Sequence, residues 1–301
     1  MELRQLRYFL AVAEEGHFTR AASRLYVSQP NLSQQIRQLE DELGATLIDR
    51  SGRQARLTAA GEVLARHARR VLSELDDARL AIDELAGLRR GALALGAVQT
   101  VNGYLLPEAV AAFTARYPGI SLRVEERSAG EIECGVADGA LQLGIGFAPA
   151  GSPDVEAEHL YHEELALIVP AGHPWSGREY LAVGELDEAP MVLLGPDFCT
   201  RRLWEESARG AGIRPRVSLE MNTISGILAA VRQTASVTAL PPQTLAAKGA
   251  DGLVAVPLRD PTPRRAVGLL YRRGGYRCAA SQAFSALLRG VLDRNGWAAA
   301  G

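Results

Sequence analysis

The sequence predicts three units in order: an N-terminal winged helix-turn-helix, a long linker helix that pairs with a second chain, and a C-terminal α/β domain of two Rossmann-like lobes. Three observations predict it. Three short helical patterns, followed by a polar turn between two short extended runs, all fall before residue 58. Apolar residues then recur at alternating spacings of four and three from Leu64 to Leu85. From residue 91 onward, short apolar runs alternate with helical patterns, which is the mark of βαβ units. The expected boundaries are residues 1–58, 59–90 and 91–301, with lobe I at about 91–161 and 266–301 and lobe II at about 162–265.

The first helix is expected from Glu2 to Glu15, where Leu6, Phe9, Leu10 and Ala13 recur at helical spacing and Gly16 ends the run. Thr19 is the expected N-cap of a second helix, Arg20 to Leu25. Ser28 caps a third, with Pro30 in its first turn and Val27 packing on Leu32 as a hydrophobic staple. Leu32, Ile36, Leu39 and Leu43 form its apolar face, while Gln29, Asn31, Ser33, Gln34 and Arg37 form a face made only of hydrogen-bonding groups. Gly44 stops this helix, and Thr46 to Ile48 with Gln54 to Leu57 flank the turn Arg50-Ser51-Gly52-Arg53 as a small wing. Thr58 opens the long helix, whose seam is Leu64, Ala68, Val71, Leu75, Ala78, Ile82 and Leu85. Packing of that seam on its own domain is the alternative, but a winged domain of ~60 residues offers little surface for it, so pairing between chains is the better account.

Strands are expected at 92–98, 121–127, 141–147, 165–169, 191–194, 217–221 and 237–240, with helices near 107–117, 131–138, 201–211 and 225–234. Such alternation implies parallel sheets covered on both faces, with ligands at the carboxyl ends of the strands.

With 301 residues, 47% hydrophobic and 23% charged, the composition is that of an ordinary soluble protein of more than one domain. Glu2, Arg4, Arg7, Glu14 and Glu15 exclude an apolar signal core at the start, and no run approaches the ~20 apolar residues of a membrane span. Cys134, Cys199 and Cys278 are odd in number and far apart, which points to a reducing, cytoplasmic compartment and no membrane partner. A formal net charge of −2 does not announce a nucleic-acid binder. Its distribution does more: Arg20, Arg24, Arg37, Arg50, Arg53 and Arg56 are set against acids clustered at Glu40, Asp41, Glu42 and Asp49.

The segments Phe9 to Glu14, Phe18 to Ala22 and Val27 to Ile36, followed by Leu47 to Arg53 and Leu57 to Gly61, closely resemble the winged helix-turn-helix of LysR-type transcriptional regulators. The resemblance continues through Phe113 to Pro118, Leu143 to Pro149 and Glu220 to Ser225, and within the family these segments are similar to regulators of cyanate-degradation operons. It implies an effector domain of the type 2 periplasmic-binding-protein kind and a homotetramer built as a dimer of dimers. Double-stranded DNA, RNA polymerase and a small effector, cyanate or another small anion, are the implied partners, with no cofactor.

On this reading Ser28 belongs to the DNA-binding face, Gln29, Asn31, Ser33 and Gln34 are expected to hydrogen-bond base edges, Pro30 to touch a thymine methyl, Arg37 to bind a phosphate and Arg53 to enter the minor groove. A merely solvated polar face is the alternative, and the ordered cap, turn and wing argue against it. Gln99, Thr100, Val101, Asn102, Ser128, Phe147, Thr200, Arg201, Asn222 and Thr223 are the candidate effector residues, chiefly because helix N-termini after strands present free amide donors. For Ser128, which forms an S-x-x-E box with Glu131, simple helix capping competes with this role.

No G-x-S-x-G, H-E-x-x-H, C-x-x-C or phosphate-loop motif occurs, so an enzyme is the remotest reading. His159 and His162, three apart in an expected strand, should point to opposite faces and make no metal pair. A redox-gated regulator is the alternative function: Cys199 lies at an expected helix start beside Arg201 and Arg202, where its thiol pKa would fall, but no resolving cysteine is near in sequence.

Overall fold

The computed structural model describes residues 1–84, 91–246 and 251–297, so Leu85, Arg89 and Arg90 lie outside the described residues. Met1–Ile82 belong to one compact unit and most of the remaining chain to a second.

In the first unit α1 (Leu3–Glu15), α2 (Phe18–Arg24) and α3 (Gln29–Leu43) surround a core of Phe9, Val12, Ala21, Leu32, Ile36 and Leu39. Gly16 and Gly44 end α1 and α3 in the left-handed conformation. α2 starts earlier than expected, at Phe18, because Phe18 packs on this core; His17 occupies the cap position and Thr19 lies inside the first turn. Ser28 caps α3 by accepting from the Asn31 amide at 3.4 Å. Leu43, on the expected apolar face, is exposed because the helix stops directly after it.

The wing is shorter than expected, β1 (Ile48–Asp49) paired antiparallel with β2 (Arg56–Leu57). Glu40 fastens it to α3, accepting from the Leu47 and Ile48 amides at 2.9 and 3.2 Å and from Arg50 at 2.7 Å. α4 (Ala59–Glu84) then begins on Thr58, whose hydroxyl accepts from the Gly61 amide at 3.0 Å. Its seam is divided. Leu64 and Ala68 pack into the core of the winged domain, whereas Val71, Ala78 and Ile82 are exposed and Leu75 is half-buried.

The second unit holds two lobes. Lobe I contains β3 (Gly91–Ala97), α5 (Gln99–Tyr104), α6 (Leu106–Arg116), β4 (Ile120–Glu126), α7 (Ala129–Ala137), β5 (Leu143–Ala148) and β6 (Val155–Glu164). Lobe II follows with β7 (Ala166–Pro170), β8 (Leu181–Ala182), β9 (Pro190–Leu194), α8 (Cys199–Gly210), β10 (Arg216–Met221), α9 (Ile224–Gln233), β11 (Thr238–Leu240) and β12 (Leu253–Arg259). The chain returns to lobe I through β13 (Arg264–Arg272) and α10 (Ala279–Arg294).

Both sheets are mixed rather than parallel throughout. In lobe I the order is β4-β3-β5-β13-β6; β3 runs parallel to β4 and β5, while β13 is antiparallel to β5 and β6. The outgoing strand β6 and the returning strand β13 lie side by side, so they must run in opposite directions. In lobe II the order β11-β7-β12-β8 is joined by the parallel pair β9 and β10, with a bridge from Met191 to Val237. Its central strands are buried on both faces: Leu167, Val169, Met191 and Leu193 meet Trp204 of α8, whereas Ile168, Val192 and Leu194 meet Ile227 and Val231 of α9. Such double burial explains their unbroken apolar runs.

The histidine pair departs from expectation. In the β6–β13 ladder Val267 pairs with Tyr161 and Gly268 with His159, leaving Leu160 as an extra residue. A bulge of this kind shifts the alternation by one. His159 and His162 therefore share a face, with ring centroids 4.6 Å apart. Among the described residues no third metal-ligating side chain joins them.

Candidate functional site

Two sites follow from this architecture, one in each unit. On the winged domain Ser28, Gln29, Pro30, Asn31, Gln34 and Arg37 are exposed and Ser33 is half-buried, all on the side of α3 opposite Leu32, Ile36 and Leu39. Arg53 is exposed on the turn between β1 and β2. Neighbouring arginines are already engaged: Arg50 binds Glu40 and lies over the Phe18 ring, and Arg24 binds Glu14 and Glu15. Arg37 and Arg53 have no ion-pair partner among the described residues, so their charge is free to meet phosphate.

The second site is the cleft between the lobes, at the carboxyl ends of β3, β4 and β9. A cavity of about 280 Å³ is lined by Gln99, Thr100, Ser128, Phe147, Thr200 and Asn222, together with Glu126, Phe198 and Cys199. A second cavity of about 340 Å³ shares Gln99, Thr100 and Glu126 and adds Thr223, Ile224, Leu228 and Arg232. Between them Gln99 of lobe I donates its Nε2 to the Asn222 carbonyl of lobe II at 2.6 Å.

Six of the ten expected effector residues thus meet in the first cavity, and Thr223 in the second. Ser128 is fully engaged in the capping box: its amide and hydroxyl donate to Glu131 at 3.0 and 2.6 Å, and it accepts from the Glu131 amide at 3.4 Å. These bonds hold the Glu131 carboxyl below the usual carboxylate range. Thr223 likewise caps α9, accepting from the Gly226 amide at 3.2 Å.

Three expected residues do not reach either cavity. Val101 is buried inside lobe I, on the inner face of α5. Asn102 turns its amide to Glu126 at 2.7 Å. Arg201, also a candidate effector residue, is buried in lobe II, where its guanidinium is taken by the Leu194 carbonyl at 2.9 Å, Glu205 at 2.6 Å and Glu220 at 3.2 Å.

The cation beneath the cleft is a residue that sequence reasoning passed over. Arg265, at the start of β13, donates from Nε to Glu163 at 2.6 Å and from Nη2 to the hydroxyls of Thr100 at 3.3 Å and Thr200 at 3.1 Å. Its Cζ lies 3.9 Å from the centroid of the Phe147 ring. Glu163, fully buried, also accepts from the Tyr104 hydroxyl at 2.8 Å, and Tyr104 in turn meets Tyr161. Burial, reinforced by the Glu163 carboxylate, pushes both tyrosine hydroxyls well above their ordinary value, so they stay neutral. The signal was thin: a pair of arginines, Arg264 and Arg265, opening an apolar run.

Comparison with known proteins matches both units. The bacterial regulatory helix-turn-helix model of the lysR family covers residues 3–62, and the LysR substrate binding domain covers residues 86–293. A probable RuBisCO transcriptional regulator of Trichormus variabilis is 32% identical over 94% of this chain and 86% of its own length. The RuBisCO operon transcriptional regulator of Allochromatium vinosum is 32% identical over 94% of each chain. Among solved structures, a full-length OxyR variant from Pseudomonas aeruginosa is similar with a TM-score of 0.75 and 28% identity, covering 97% of this chain and 95% of that one.

Proposed function

The chain belongs to the LysR-type family of DNA-binding transcriptional regulators, with an effector-binding domain, and we propose that it controls an operon encoding RuBisCO in response to a small anion bound in the interlobe cleft. The likeness to RuBisCO transcriptional regulators supports the operon. The observation that carries the effector reading is the cleft itself, where hydroxyls from both lobes converge over a buried guanidinium. None of these relatives is named for cyanate. Cavities of about 280 and 340 Å³ are close to the lower end of small-molecule pockets, roughly 300–1,000 Å³, and exceed what a three-atom anion fills. The proposed effector is therefore a larger anion than cyanate.

In this reading the exposed face of α3 enters the major groove and the wing tip meets backbone or minor groove. Chains pair through the free half of the α4 seam and assemble as a dimer of dimers, with RNA polymerase as a further partner. Footprinting over the promoter region of the RuBisCO operon tests the DNA side. Arg53→Ala should weaken specific and random DNA alike and lower the salt slope by about one phosphate's worth, whereas Gln29→Ala should mainly change base preference. If both variants bound the operator as the parent does, this docking would be wrong.

One contact favours a second reading, redox gating through Cys199. Arg202 Nη2 lies 2.9 Å from the Cys199 sulfur at the start of α8. Peroxide would oxidise the Cys199 thiol to a sulfenic acid and be reduced to water. The other cysteines, exposed Cys134 and buried Cys278, belong to lobe I, across the cleft. Peroxide altering the footprint of the parent but not that of Cys199→Ser, with no anion altering either, would favour this alternative.

A further inference from the structure

The hydrogen-bond inventory at the floor of the cleft says more about the ligand than the cavity volume does. Arg265 is nine-tenths buried, with 9% of its side chain exposed. Its Nε and Nη2 are used by Glu163, Thr100 and Thr200, but its Nη1 is buried without any acceptor. A threonine hydroxyl has one hydrogen to donate; when it accepts from a guanidinium, that hydrogen must point elsewhere. Thr100 and Thr200 both line the cavity, and no described residue accepts from either hydroxyl. Two hydroxyl donors, one from each lobe, therefore line the cavity without acceptors, both held by one buried guanidinium. A donor left so is costly, and an oxygen anion is the group that would accept from both hydroxyls.

Gln99 presents the opposite polarity. Its Nε2 is fixed by the Asn222 carbonyl at 2.6 Å, so the amide cannot flip without setting two oxygens against each other. Gln99 Oε1 is consequently an acceptor, and it is buried with no donor. Glu126, also lining the cavity and already accepting from Asn102, disfavours an anion on its side. The charge is thus confined to the threonine side and a donor is wanted at Gln99.

We propose that the effector is a hydroxylated oxyanion, a carboxylate or phosphate ester bearing a hydroxyl, whose charged oxygens are taken by Thr100 and Thr200 and whose hydroxyl donates to Gln99. Arg265 is the positioning residue: one guanidinium turns a hydroxyl from each lobe toward the ligand, so binding also ties the lobes together. The inference rests on the reading of this cleft as the effector site.

The test is calorimetry on the full-length protein with paired probes: glycerate against propionate, glycerol 3-phosphate against inorganic phosphate, and neutral propionamide. The hydroxylated member of one pair should bind at least about tenfold more tightly than its partner, and the pair that does so identifies carboxylate or phosphate. Thr100→Val and Thr200→Val should each weaken that binding by about tenfold or more. Gln99→Met should erase the preference for the hydroxylated member, a readout that a purely structural role would not move.

Arg265→Lys keeps a charge beside Glu163 but cannot bridge both threonines, and should lose affinity and selectivity together. Should it fail to fold, the neutral double variant Arg265→Met with Glu163→Gln removes the ion pair without stranding a buried charge. Parent-like affinity and selectivity in whichever Arg265 variant folds would overturn the positioning role. Binding of propionamide alone, lost in Thr100→Val, would keep the cleft as the effector site and overturn the oxyanion proposal. Binding of none of the probes would overturn the proposal, and retention of a promoter response to cell extract by the Thr100→Val variant would overturn the cleft reading as well.

Discussion

At the scale of single residues, the winged domain contains one that is held against its own preference. Tyr26, in the turn between α2 and α3, has φ +56° and is 96% exposed. A left-handed conformation costs a side-chain-bearing residue roughly 1–2 kcal/mol, and an exposed ring recovers none of this through burial. Tyr26→Asn should therefore raise the stability of the winged domain by about 1 kcal/mol, because asparagine tolerates this region, while Tyr26→Val should lower it by a similar amount. Equal melting curves for both variants would show that the turn adapts to its residue. The sequence makes such a turn expected but not its angle. Likewise Thr100, Thr200 and Asn222 were legible because polar residues between a strand and a helix fall at the carboxyl edge of a sheet. Arg265 was not: it is 165 residues from Thr100, and nothing local marks a strand residue as the floor of a cleft. Arg201 was misplaced for the complementary reason, since a helix start says nothing about which way a long side chain turns.

At the scale of elements, α4 shows how one periodic pattern can serve two surfaces. Its spacing predicts a continuous seam, but Leu64 and Ala68 are consumed by the winged core, and among the described seam residues Val71, Leu75, Ala78 and Ile82 remain for another chain. Ala68→Asp should therefore unfold the winged domain, placing an unpaired charge where exposure is 1%, at a cost of several kcal/mol. Ile82→Asp should leave that domain folded and dissociate the dimer, observed as halved mass in sedimentation and lost operator footprint. If Ile82→Asp sedimented as the parent does, the chains would pair elsewhere. The histidine pair on β6 teaches the same lesson for strands. Alternation placed His159 and His162 on opposite faces, and one extra residue at Leu160 reversed it, which no periodicity over so short a run reveals.

At the scale of the whole chain, the alternation of strands and helices made the two-lobed α/β architecture readable, but not the way the lobes are threaded. β6 and β13 carry many charged residues, so neither reads as a buried strand; β6 is expected only as the strand of His159 and His162, and β13 was missed in the sequence. Their placement has a consequence for synthesis on the ribosome. Among the described strands β6 pairs only with β13, and β13 also completes the face of β5, yet β13 follows the whole of lobe II in the chain. Lobe II is contiguous from β7 to β12 and needs nothing that emerges after it. The lobe that starts first should therefore finish last. A chain truncated after Pro263 should show slow amide exchange in β7, β9 and β12 but fast exchange in β3 and β5; protection of both lobes would refute this order. During translation at roughly 5–20 residues per second, β6 would wait on the order of 5–20 s for its neighbour, a bare strand edge that nascent-chain chaperones would have to shield.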